Sequence, residues 1–198
     1  MLGGNSKLAV GLAVCAFGAL FSSFEAQAQL PVCSRTVKAE IVAFDQPLMF
    51  NRNGSQNVNG MMYALRSDVI DRTSGTTEAA GGVLTPGNVG LRPDKRPRPI
   101  VVRVREGDCL EVEFTNLLST QHNPNNATPS IMTINDQVAE RRAGFTPLGL
   151  DVLDAGSQAA YVGNGPNTLA APGETRTYRF FAAEEGAHLV LSHAVNFG

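Results

Sequence analysis

The feature that most restricts this chain is a two-residue alternation carried through a single turn. Ile100, Val102 and Val104 alternate with Val101, Arg103 and Arg105; beyond Glu106-Gly107-Asp108, Leu110, Val112 and Phe114 alternate with Glu111, Glu113 and Thr115. Successive side chains of a strand point to opposite faces, so the pattern predicts two strands with one face each in a core, joined as a hairpin at the Gly-Asp turn. Residues 37–44 repeat the device, with Lys38 and Glu40 between Val37, Ala39 and Ile41. Residues 175–181 and 187–193 flank the turn Glu184-Glu185-Gly186 and predict two more strands. No later segment sustains a helical period. With 20 Gly and 11 Pro punctuating short strands, the expected class is all-β, a sandwich or a barrel.

Between the strands the chain reads as long loops, residues 66–99 and 117–139. The first ends in Arg92-Pro-Asp-Lys-Arg-Pro-Arg-Pro99, whose interleaved prolines mark a solvated, semi-rigid connector. The remaining chemical signals are weak. Glu184-Glu185 and Asp151/Asp154 read as charged turns, and Gly163-Asn-Gly165 lacks the strand-to-helix setting of a nucleotide loop. Ser192 beside His193 has no partners for a triad. Met49, Met61, Met62 and Met132 keep no repeated spacing and read as packing residues.

The N-terminus is built for export. One cation, Lys7, precedes an apolar run over residues 8–24, and Ala26 and Ala28 supply the small residues of a peptidase site. A spanning helix needs about 20 apolar residues, and this run is shorter with the wrong flanks. The expected organisation is a signal peptide, residues 1–28, and one domain, residues 29–198, in the periplasm or secreted, with no membrane contact after cleavage. The charge balance, 16 basic against 18 acidic residues, excludes electrostatic attraction to nucleic acid. Cys33 and Cys109 remain after cleavage and are a candidate disulfide in an oxidising compartment. Two free thiols are the alternative.

Three blocks then carry a family resemblance. Ile100-Val-Val-Arg-Val-Arg-Glu-Gly-Asp-Cys-Leu-Glu-Val-Glu-Phe-Thr-Asn116 resembles the strand, Gly-Asp turn and Asn-terminated strand that open a multicopper-oxidase cupredoxin domain. Ala171-Pro-Gly-Glu-Thr-Arg-Thr-Tyr-Arg-Phe180 resembles that family's Pro-Gly-Glu turn and following strand. Residues 183–193 resemble the strand ending in its His-x-His motif. With Met61-Met-Tyr-Ala-Leu-Arg66 and Leu91-Arg-Pro-Asp-Lys-Arg-Pro97, the text is most similar to large multi-domain bacterial oxidases, including the manganese-oxidising type. The resemblance implies a cupredoxin-like Greek-key β-sandwich with long loops, copper as the family's cofactor, and further cupredoxin domains or a second chain as partners.

The ligand positions depart from that pattern. Thr146 and Leu148 stand where the resemblance puts the first His-x-His, with Gly149 retained, and Leu191 occupies the first position of the second. His193 alone survives and is the single candidate metal residue. Biological copper sites are assembled from several nitrogen and sulfur donors, and one imidazole in four does not make a cluster. His188 and His122 are the other imidazoles, His188 on the opposite strand face from His193. A blue-copper site needs a Cys and a His close together near the last strands, and none follows Cys109. The expectation is a truncated, ligand-poor member of the family, with no cofactor and no catalysis of its own. The alternative is a stand-alone exported binding module whose long loops hold a protein or a glycan.

Overall fold

The structure, a computed structural model, describes residues 30–58, 60–120, 140–161 and 163–194. The expected export segment and cleavage site, Met132 and the Asn-rich loop carrying His122 lie outside these residues. Eleven strands follow in chain order: β1 (Thr36–Asp45), β2 (Leu48–Met49), β3 (Gln56–Asn57), β4 (Met61–Leu65), β5 (Val69–Asp71), β6 (Val89–Leu91), β7 (Cys109–Asn116), β8 (Thr146–Pro147), β9 (Asp151–Val152), β10 (Thr175–Phe181) and β11 (Val190–Leu191). The only helical pieces among the described residues are three short 3-10 turns. The class is all-β, a sandwich.

The main sheet has the order β4-β1-β7-β10-β9. β7 lies at its centre, parallel to β1 and antiparallel to β10. Its alternation sets the layers. Leu110, Val112 and Phe114 are buried in one cluster with Ile41, Ala43, Phe145, Tyr178 and Phe180. On the other face Glu111 sits between its cross-strand neighbours Lys38 and Arg179, at 3.0 Å from each. The second half of β1, residues 41–45, is buried on both faces. Ile41 and Ala43 join the main core, while Val42 and Phe44 join a smaller cluster with Val69, Val89 and Leu117.

Three expectations need correction. Residues 100–105 do not form a hairpin with β7, because β1 and β10 already occupy both of its edges. The turn itself is present: Asp108 N–H donates to Arg105 O at 3.1 Å, with Gly107 at φ 79° in the position where a type II turn needs a positive φ. Residues 66–99 are not one loop; they contain the β5–β6 hairpin that covers the smaller cluster. Three-residue strands are too short to show a period, and their signal lies in the Asp71 side chain. Asp71 accepts from Thr73 N–H, Ser74 Oγ and Asn88 Nδ2, closing the connection between the two strands. The predicted strand over residues 187–193 pairs only at Val190 and Leu191. Its partner β8 ends in Pro147, which has no N–H to extend the ladder.

Several carboxylates are held below their ordinary range by named partners: Asp108 foremost by the Arg35 guanidinium, Glu78 by Arg66, Glu111 by Lys38 and then Arg179, and Asp71 by the Ser74 hydroxyl. Their folded pKa values lie below the unfolded ones. The resulting stability is therefore complete above the unfolded carboxylate range, near pH 4, and is lost as pH falls through the folded values. Thermal melts are expected to be flat across neutral pH and to drop progressively below about pH 4.5. A melting temperature that rises on acidification would contradict this assignment.

Candidate functional site

The two segments expected from the sequence to resemble copper-ligand motifs come together in space. β8 and β11 form an antiparallel pair in which Leu191 stands opposite Thr146 and Val190 opposite Pro147. Leu148 N–H extends the contact to Leu189 O at 2.8 Å. Phe145 and Val190 pack toward the main core. By the two-residue period Thr146 and Leu191 turn to the other side, where Thr146 Oγ1 donates to Gln158 O at 3.4 Å. Gly149 adopts φ 89°, and a Cβ there would stand 2.8 Å from the His188 ring.

The donor set at this pair does not fit copper. Of the four positions, Leu148 and Leu191 offer hydrocarbon, and the Thr146 hydroxyl is buried against a carbonyl. His193 is exposed. Among the described residues no three His, Cys, Asp or Glu side chains gather as a metal site. His188 Nδ1 lies 2.8 Å from Leu148 O, so Nδ1 carries a proton and donates to that carbonyl. Nε2 is buried without a hydrogen-bond partner.

The other weak signals resolve as structure. Asp154 Oδ1 accepts from Ser157 Oγ at 2.9 Å within a 3-10 turn, and Asp151 pairs with Phe181 at the sheet edge. Ser192 Oγ accepts from Gly144 N–H at 3.2 Å. Tyr63, whose phenol is pushed up to about 12 chiefly by burial, donates to Gly144 O at 2.6 Å and fastens β4 to the segment entering β8. Cys33 and Cys109 are joined by a disulfide with Cα atoms 5.3 Å apart.

What the alternation does not reveal is an open side next to β11. Residues 96–100 and 188–190 border a cleft of about 1070 Å³ that also touches Met49 and Met61. Residues 100–106, Ala182 and residues 184–188 border a second, of about 740 Å³, floored by Leu110, Phe145 and Leu150. Large apolar side chains stand exposed along this side: Met49 at 69%, Val101 at 74% and Leu189 at 64%. A sequence signal existed in the Arg-Pro run and the alternation that follows it, but it reads equally as a connector and a buried strand.

Comparison with models of known protein families finds no match to this chain, and comparison with curated proteins finds none.

Proposed function

We propose that this chain is an exported, cupredoxin-like domain of a multicopper-oxidase-type protein that carries no copper cluster of its own and serves as a structural or partner domain. The observation that carries the reading is the Leu191–Thr146 pairing. Two segments distant in sequence, each resembling one His-x-His motif, lie side by side as a shared ligand site would require, yet present a threonine and a leucine to each other. The apolar side next to β11 suits docking to further domains or a second chain better than a fully polar surface would. In this reading the domain lies on the exported side of the membrane; no helix among the described residues is long and apolar enough to cross one.

The test is metal analysis after copper reconstitution. Less than stoichiometric copper is expected, with no oxidation of phenols or Mn(II) by the isolated protein. Immobilised on a resin, the domain is expected to retain from the exported fraction a protein that holds copper and oxidises phenols. One tightly held copper per chain, lost on His193→Ala, would overturn the reading, and recovery of no copper protein would count against its partner half.

A further inference from the structure

Residues 100–104 form a half-built strand. Their burial alternates as a strand's does, with Ile100, Val102 and Val104 half-buried against the main core and Val101 and Arg103 exposed. Yet they belong to no sheet, and no hydrogen bond of their backbone is recorded among the described residues. Unpaired N–H and C=O groups in a row are a template for another strand. The two clefts described above flank this segment, and Ile100 lines both.

The charged side chains of residues 96–105 are all cationic, while Glu106, Glu184 and Glu185 also border the second cleft. Arg96, Arg98, Arg103 and Arg105 are all exposed, and none makes an ion pair among the described residues. By contrast, the neighbouring Arg92 and Lys95 are paired with Asp94 and Asp68. Two copies of this edge would set arginines against arginines, and like charges directly opposite across strands are destabilising. A strand whose outward residues are acidic would instead oppose them favourably, while its inward apolar residues continue the layer formed by Ile100, Val102 and Val104. A polyanion would satisfy the arginines but not the backbone or the apolar floor.

We propose that residues 100–104 are a docking edge for an extended, acidic-and-apolar alternating segment of a partner polypeptide, which adds to it as a strand. This rests on the docking half of the function proposed above and not on its copper half. The partner's main chain supplies the pairing, and its carboxylates select this edge through Arg103 and Arg105.

The experiment is fluorescence anisotropy with a short labelled peptide alternating valine and glutamate, titrated with the intact protein. Saturable binding is expected. Replacing glutamate by lysine should weaken it by about tenfold or more, because each cross-strand charge pair changes sign. Methylating alternate peptide nitrogens on the pairing edge should abolish it. The double variant Arg103→Glu/Arg105→Glu changes exposed side chains only, so its fold can be checked by circular dichroism, and it is expected to prefer the lysine peptide. Binding indifferent to N-methylation, or equally strong for a sulfated polysaccharide, would overturn the proposal in favour of a polyanion surface. Concentration-dependent dimerisation that blocks the peptide would overturn it in favour of a second copy. Failure of the peptide to bind refutes this inference and leaves the copper measurement standing.

Discussion

Reduction of the Cys33–Cys109 bridge is expected to lower the stability of the domain by about 4 kcal/mol, a value set by the length of chain it closes. The bridge spans 76 residues, so in the unfolded state it removes much of the freedom of β1 through β6. In the folded state it is one of several ties. Ser34 N–H donates to Gly107 O and Cys109 N–H to Arg35 O, each at 2.8 Å, and Arg35 pairs with Asp108 at 2.7 Å. The arm before β1 should therefore stay docked without the bridge, and the loss should arise in the unfolded ensemble. Melts with and without reductant, repeated on the double variant Cys33→Ser/Cys109→Ser, are expected to differ on the order of 10 °C. A shift below about 1 kcal/mol would show that the bridge constrains little.

The Arg141→Ala substitution is expected to cost a further amount of similar size, about 3–5 kcal/mol, through a different mechanism. Arg141 Nη2 meets both oxygens of Asp45, at 2.5 and 2.6 Å, with the two side chains only 12% and 7% exposed. The same carboxylate accepts from Ser119 N–H at 2.7 Å, and Arg141 Nε donates to Ser119 O at 2.7 Å. Asn116, fully buried, donates from Nδ2 to the carbonyls of Arg141 and Ala170 at 2.8 Å. The end of β1, the chain after β7 and the segment leading to β8 thus meet at one polar knot. Removing the guanidinium leaves a buried carboxylate uncompensated, and that desolvation dominates the loss. Replacing both partners by apolar residues, Asp45→Leu with Arg141→Met, should be less harmful than Arg141→Ala alone. Urea denaturation reads this as a fall in midpoint at unchanged slope. A double variant that is worse than the single one would assign the cost to lost packing instead.

Much of the fold was legible because alternation reports burial directly. β10 lies where the text placed it, and β7 and β1 carry their apolar residues on the predicted faces. The partners of those strands were not legible. Ile100, Val102 and Val104 face a core as their period requires, but period is silent on which edge a strand joins. β5 and β6 escaped notice because their stability lies in Asp71 and Asn88, in a stretch whose Gly and Pro content reads as loop. Arg141 and Asp45 gave no warning, since each is an ordinary charged residue until a partner from far along the chain arrives.

The candidate site divides in the same way. The sequence by itself determined the chemistry at the expected ligand positions: Thr146, Leu148 and Leu191 are poor or impossible copper ligands wherever they sit, because donor atoms are a property of residue type. It also determined the alternation that buries Leu110, Val112 and Phe114. Only the tertiary structure decided that Leu191 faces Thr146, that β7 has no free edge, and that residues 100–104 are left with their backbone unpaired. Burial is decided locally, residue by residue. Pairing is decided by competition among segments far apart in the chain, and that competition leaves no period behind.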